Sequence, residues 1–373
     1  MDIKVVNRIM MTEALPPADT RSRFYAPQID GLRFFAALLV IVHHSPAVPG
    51  LALIREIGWI GVDLFLCISA FLLTRLIRLE IKQTGSLRVR HFFIRRALRI
   101  WPLYIGYAAV MCLLGSLYFG LPIKTTGGWM LAHLSFSANF MTALTGFSPV
   151  PFTAHLWTIS LEEQAYFVIP FLMIALSRAE RPGRWIVVAT ASVIGLLTAG
   201  RLGLWLNGVT LDAIFVTPFR ADGLVLGAAI ALHYEDRVFS SKAVCWSLAL
   251  VILAGWALLT LAGSSELAAL WLFPPLIGCC ALIFMGTLNG AAWLGWRPLA
   301  YLGKISFGIY VYHLLAISVV DRVLKFVGIA SPGLALLGTI LLSILISVLS
   351  YRLYETPFLR LKERFAVIAS RPV

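Results

Sequence analysis

The sequence predicts an all-α fold: a polytopic transmembrane helical bundle of about ten full spans, with a re-entrant or short outer segment near 129–147. Three observations carry this. The chain is 60% hydrophobic with a mean hydropathy of +0.87. Only 13% of its residues are charged, about half the usual share in a soluble domain. Long apolar runs recur from residue 31 to residue 354. The alternating ten-residue pattern of an outer-membrane barrel is absent. The net charge of +13 would suggest nucleic acid in a soluble protein, but in a membrane protein basic residues collect in cytoplasmic loops, so no nucleic-acid partner is expected. Cys67, Cys112, Cys245, Cys279 and Cys280 all lie in apolar segments and read as small core hydrophobes, with no metal spacing or disulfide framework.

Residues 1–28 are polar and contain Arg21 and Arg23. They have no short apolar region ahead of a cleavage site, so they read as a flexible cytoplasmic tail and not a signal peptide. The first span is expected at 31–48, ended by Pro46 and Pro49, and the second at 57–77. The most basic stretch follows, with Arg75, Arg78, Lys82, Arg88, Arg90, Arg95, Arg96 and Arg99 against Glu80 alone. That places this loop, and with it the amino terminus, in the cytoplasm. The third span, 97–120, then runs outward. The span at 155–176 precedes Arg178, Arg181 and Arg184 and so runs inward. Parity leaves no room for a full crossing at 129–147, which enters and leaves on the outer side or lies across the helix tops. Later spans are expected at 185–204, 213–233, 243–262, 267–288, 304–325 and 334–354, with both termini inside. Residues 29–360 form one membrane domain and 361–373 a cytoplasmic tail. Arg322 and Lys325 fall near an outer end and break the charge rule.

Ionisable residues in apolar segments are costly and are functional candidates. Arg33 and His44 share the first span. At 1.5 Å per residue they stand about 16 Å apart, which puts His44 near the middle of a ~30 Å hydrocarbon core. His44 suits a general base, or alternatively a structural hydrogen bond. His43 lies about 100° around the helix, so only one of the two serves. Arg33 reads as an ordinary cytoplasmic anchor or a functional group. Arg95, Arg96 and Arg99 are either loop anchors or a patch for the phosphates of a nucleotide-bearing cofactor, with Arg99 sharing a face with one of the other two. Glu162 and Glu163 could orient a histidine, accept from a sugar hydroxyl, or pair with Arg220. Asp63 could do either of the first two jobs. Arg220 and Asp222 could satisfy each other. His155, His313 and Glu355 complete the set. No nucleophile elbow, phosphate loop or paired-cysteine motif is present, which disfavours covalent serine and metal mechanisms.

These residues resemble a known family, the integral-membrane acyltransferase family three, whose members include O-acetyltransferases of lipopolysaccharide, exopolysaccharide and macrolides. The resemblance runs from Asp30 to about Arg360. Its hallmark Arg and His match Arg33 and His44, which selects His44 over His43. Further blocks match Gly61–Phe71, with Leu66 and Ala70 as departures, and Arg95–Tyr104. His155–Tyr166 matches with Thr158 and Ala165 as departures. Arg220–Leu224, Leu302–Ser306 with Tyr310 and His313, and Tyr354–Phe358 with Thr356 in place of Lys complete the series. Some relatives carry an extra carboxyl-terminal domain, and this chain resembles the stand-alone form.

The resemblance implies a bacterial inner-membrane O-acyltransferase. It would move an acyl group, acetyl from cytoplasmic acetyl-CoA, to a hydroxyl of a carbohydrate or glycolipid. Its catalytic residues would be His44, Glu162 and Arg33. Arg95, Arg96 and Arg99 would bind the cofactor. Asp63, Glu163, Arg220 and His313 would contact the acceptor, and no metal is expected. His44 would act as base or carry the acyl group itself. The alternative from another class is a transporter or flippase for a lipid-linked sugar.

Overall fold

Proline and glycine set the ends of the helices that carry the site. The computed structural model describes residues 24–176, 183–234, 241–261 and 266–368. Pro27 opens α1 (Pro27–His44), where its missing N–H and fixed φ cost nothing. Pro46 forces the preceding Ser45 out of the helix, to φ −83° and ψ 160°. The expected span 31–48 therefore starts earlier and stops at His44 itself. Phe24, inside the segment expected as a tail, packs on Phe71 and Tyr234; residues 1–23 lie outside the described residues.

A single turn, α2 (Ala52–Ile57), leads to α3 (Ile60–Thr84), which Gly85 ends with a left-handed φ of 76°. Next come α4 (Val89–Leu117), with Pro102 inside it, and the short α5 (Ile123–Leu134) and α6 (Ala138–Thr145). Neither short helix is long enough to cross a bilayer. They are followed by α7 (Trp157–Leu176) and α8 (Gly183–Leu206).

The continuous span expected at 213–233 is instead broken into α9 (Leu211–Phe215), a 3₁₀ turn (Pro218–Arg220) and α10 (Asp222–His233). Thr217 is the reason: it is extended before Pro218, and its side chain caps the turn by accepting from Phe219 N. After α11 (Lys242–Leu261) and α12 (Glu266–Leu288), a 3₁₀ turn (Ala292–Gly295) leads into α13 (Arg297–Lys304) and α14 (Ser306–Phe326). Then α15 (Pro332–Ser350) passes through a π turn (Tyr351–Glu355) into α16 (Thr356–Glu363). The charge-rule exception near 325 is partly cancelled, because Lys325 pairs with Asp321 at 2.6 Å.

Eight helices among the described residues are long and apolar enough to cross a membrane: α3, α4, α7, α8, α11, α12, α14 and the run from Pro332 to Glu363. The protein is a multi-pass helical membrane protein. With 12 residues, α10 is about 18 Å long, too short to cross. At the centre lies α1, packed against α3, α12, α13, α14 and α15. Glycines allow these contacts. A Cβ on Gly31 would stand 2.1 Å from Leu294 O, on Gly61 2.4 Å from Ala36 O, and on Gly303 1.7 Å from Asp30 O. A Cβ on Gly227 of α10 would stand 2.0 Å from Cys67 O of α3. Lipid tails are as apolar as leucine, so close backbone approach of this kind substitutes for hydrophobic driving force.

Candidate functional site

A cavity of about 140 Å³ opens at the Arg33 end of α1. Its walls are the start of α1, the later half of α3, the first turns of α4 and the segment after α16. It gathers Arg33, Arg95, Arg96, Arg99 and Glu162, which are scattered over 130 residues of sequence. The expected tail 361–368 is part of this wall: Val367 and Ile368 are buried, and Lys362, Ala366 and Ile368 line the cavity. Residues 369–373 lie outside the described residues.

The arginines are held differently. Arg95 donates to Glu80 Oε2 and to Phe365 O, both at 2.8 Å, and so ties the closing segment to α3 and α4. Arg96 lies over the rings of Tyr166 and Phe92, at 5.1 and 5.9 Å. Arg33, 9% exposed, donates from Nε to Ser306 Oγ at 3.3 Å and covers the Phe65 ring. It is therefore a buried interior group and not an end-of-span anchor. Tyr166 donates to Glu162 Oε1, while Glu163 accepts from Trp101 Nε1 at 3.1 Å. Of the two carboxylates, only Glu162 lines the cavity.

A smaller cavity of about 40 Å³ adjoins it as a continuation, sharing Arg33, Ser69, Glu162 and Phe307, and reaches Thr158 and Tyr310. Tyr310 bonds Thr158 Oγ1 at 2.6 Å and donates to His155 O at 2.9 Å. Its ring packs on those of His155 and His313, at 5.1 and 5.6 Å. Beyond them the His313 and His44 rings are 5.0 Å apart. His44 closes the row at the end of α1, where it is exposed. Its Nδ1 donates to Val40 O at 2.9 Å. A carbonyl can only accept, so this bond leaves Nε2 as the lone-pair nitrogen of the neutral ring. His43 instead bonds Arg55 O at 2.8 Å and holds the turn after α1.

Two of the pairings considered from sequence are corrected. Arg220 does not meet Asp222 or the glutamates. It forms a two-pronged pair with Asp63, at 3.1 and 2.7 Å, inside a cage of Trp59, Trp157 and Phe273. Asp222 is held by Arg201 at 2.6 and 3.2 Å. Folding back at the 3₁₀ turn puts Arg220 and Asp222 on different neighbours. Asp63 and Arg220 thus occupy each other, and neither lines the cavity or its continuation.

Sequence reasoning placed His155 in a motif but gave it no role, and it missed Tyr310 and Thr158 as a contact pair. Only their separate places in two motif blocks, His155 and Thr158 in one and Tyr310 in another, hinted at them. Among the described residues, no group of three His, Cys, Asp or Glu is arranged to hold a metal ion. A larger cavity of about 1000 Å³ between α8, α10 and α12 is lined almost wholly by apolar side chains, with His233 as its one imidazole.

Comparison with known proteins identifies the family. The acyltransferase domain of acyltransferase family three matches residues 27–352. The chain is 28% identical to the peptidoglycan O-acetyltransferase OatA of Listeria monocytogenes, over 90% of this chain and 56% of that protein. It is 26% identical to the O-acetyltransferase OatA of Staphylococcus aureus, over 89% of this chain and 57% of that protein. The chain thus spans a little over half the length of these relatives. No solved structure matches it significantly. With the domain match covering almost the whole helical bundle, from the first helix to the π turn, the chain belongs to acyltransferase family three.

Proposed function

We propose that this protein is an O-acetyltransferase of the bacterial inner membrane, moving acetyl from cytoplasmic acetyl-CoA to a hydroxyl of a cell-wall or surface carbohydrate. One observation carries the reading. The arginine-lined cavity continues past Arg33 and Glu162 to Tyr310, and the His44 lone pair stands at the far end of the same line of contacts. The names of the relatives, both O-acetyltransferases, support the acetyl group, and the Listeria relative's name, a peptidoglycan O-acetyltransferase, supports a glycan acceptor.

In this reading the phosphates of acetyl-CoA lie against Arg96 and Arg99, which suit phosphate as paired donors. Arg95, already bonded to Glu80 and Phe365, shapes the wall. The slim acyl-bearing arm enters the continuation, with Arg33 and Glu162 at the junction of the two spaces. The acceptor approaches from the His44 end. His44 Nε2 takes the hydroxyl proton, the oxygen attacks the thioester carbonyl, the C–S bond breaks, and the proton passes from His44 to the departing CoA sulfur as S–H. Glu163, bonded to Trp101, and the Asp63–Arg220 pair act as supports that position α4, α7, α3 and α10.

The test is purified protein in proteoliposomes given acetyl-CoA and peptidoglycan glycan fragments. CoA release matched one for one by acetylated glycan in the mass spectrum is expected, and is lost in His44→Ala. Undiminished transfer by His44→Ala refutes the assignment of the base. Absence of CoA release with every glycan favours carriage without chemistry.

A further inference from the structure

Helix α8 is tied to its neighbours near one end. There Arg201 donates to Asp222, the first residue of α10, at 2.6 and 3.2 Å, and lies over the Phe273 ring of α12 at 4.7 Å. Toward its amino end α8 stands off from both helices, and the cavity of about 1000 Å³ occupies the gap. Val187 and Ala191 of α8 line it and are exposed, so the gap opens sideways where these spans meet the bilayer.

In water the hydrophobic effect would close an apolar gap of this size. In a bilayer nothing drives that closure, because lipid tails are as apolar as the leucines they touch. Water does not fill it either, since apolar cavities stay dry. Hydrocarbon chain is the filling left, and it supplies the packing that the amino half of α8 lacks.

The chemistry changes at one end of the gap, where Tyr234 and Asn289 line it. Tyr234 packs on Phe24, a wall residue of the arginine cavity, so this is the Arg33 end of the bundle. Two cations flank that end. The Arg75 guanidinium lies 5.1 Å over the Tyr234 ring. Lys242, exposed at the start of α11, reaches Gly290, where a Cβ would stand 3.6 Å from its Nζ. None of the described lining residues is acidic. We propose that the gap is a binding site for one anionic phospholipid of the leaflet at the Arg33 end. Its chains lie between α8 and α12, and its phosphate sits at the mouth flanked by Lys242 and Arg75. Basic pockets between transmembrane helices hold anionic headgroups in this way.

The volume, at the upper end of the range for small-molecule sites, admits one such lipid and not several. The carboxyl end of α10 points at the same mouth and would repel a phosphate through its dipole. Arg78 of α3 offsets this by donating to Ala231 O and Leu232 O at 3.1 and 2.6 Å. Glu235, Asp236 and Arg237 follow in the chain and lie outside the described residues. The site does not rest on the acetyl-transfer reading, since it requires only that these helices lie in a membrane.

The full chain in mild detergent is titrated with phosphatidylglycerol or with phosphatidylcholine of the same chains, and native mass spectrometry counts the lipids bound. One tightly held phosphatidylglycerol per chain is expected, with an affinity about 10-fold or more above that for phosphatidylcholine, as two cations beside a phosphate imply. Gly278→Phe puts a ring into the gap, where a Cβ meets nothing within 4 Å, and should abolish the tight lipid. Gly255→Phe in α11, equally unobstructed but not part of the lining, should keep it. Lys242→Gln combined with Arg75→Gln should bind the two lipids alike. Gel filtration shows which variants fold. If Gly278→Phe does not, Ala191→Phe fills the same gap from α8. If the double variant does not, Lys242→Gln alone should narrow the preference about 5-fold. A folded protein that holds no tight phospholipid overturns the site and leaves the gap to another part of the chain. So does a tight lipid that the gap-filling variants leave in place. Equal affinity of the unaltered protein for both lipids, or a preference that outlasts the loss of the cations, overturns the anionic headgroup.

Discussion

Replacing Arg220 by Met removes the partner of a carboxylate with no exposure to solvent. Asp63 is 0% exposed, and its two oxygens receive the Nε and Nη2 bonds of Arg220 at 3.1 and 2.7 Å. The guanidinium also donates to Trp59 O at 3.3 Å and contacts three aromatic rings at 5.3, 5.4 and 5.8 Å. Breaking a buried pair from one side costs about 3–5 kcal/mol, chiefly the stranded charge. The three lost ring contacts add roughly 0.5–1 kcal/mol apiece, which puts Arg220→Met at about 5 kcal/mol or above. Asp63→Asn leaves Arg220 its rings and the Trp59 carbonyl, so about 3 kcal/mol is expected.

The double variant strands no charge and should recover most of the loss, because an apolar or neutral replacement of a buried pair is often close to neutral. Thermal unfolding in detergent, followed by tryptophan fluorescence, reads this directly, since Trp59 and Trp157 face the guanidinium. At roughly 2–4 °C per kcal/mol, Arg220→Met should lower Tm by about 10–15 °C. A single variant as stable as the unaltered protein would refute the reasoning. So would a double variant no better than the worse single, because the coupling would then be absent.

Three other outcomes follow from the packing and the site. His44→Ala should reduce CoA release at least about 100-fold while equilibrium binding of acetyl-CoA persists, because His44 does not line the cavity; calorimetry alongside the rate assay separates the two. Arg99→Ala should raise KM for acetyl-CoA about 10-fold or more, at roughly 1.5–3 kcal/mol for a lost charged hydrogen bond, yet leave KM for S-acetyl-pantetheine, which lacks the nucleotide phosphates, unchanged. Gly227→Ala should sharply lower the yield of folded protein, since the added Cβ would sit 2.0 Å from Cys67 O. Gly127→Ala in α5, with nothing within 4 Å, should be neutral or stabilising by about 0.5–1 kcal/mol. Gel filtration of detergent extracts compares the two.

What could be read from the sequence was whatever lies along one helix. The spacing of Arg33 and His44 and the arginine cluster of α4 are local patterns, and the structure places Arg33 and that cluster around one cavity, with His44 at the other end of α1. That 129–147 holds no full crossing also followed from arithmetic alone, since charge parity left no room for one, and α5 and α6 are both too short to cross. The partners of buried charges were not legible. Asp63 and Arg220 are 157 residues apart, and Asp222 had an adjacent candidate that the 3₁₀ turn carries away from it. The break at Thr217–Pro218 hides inside an apolar run, because periodicity does not register a single extended residue. His155 lies just before α7, and its bond to Val311 O, on a helix more than 150 residues away, is a fact of tertiary geometry.

The arginine cavity also has a consequence for how the protein is made. Phe24, Tyr25 and Ala26 form one part of its wall, and Lys362, Ala366 and Ile368 form another. More than 330 residues of sequence separate these two parts, so the ribosome delivers the second long after the first. Until the last of them folds back, with Arg95 bonded to Phe365 O, the cavity stands open on one side. In the acetyl-transfer reading, a donor that needs both parts of the wall therefore finds the cavity finished only after Ile368 has been made, when the transmembrane helices before it are already in the bilayer.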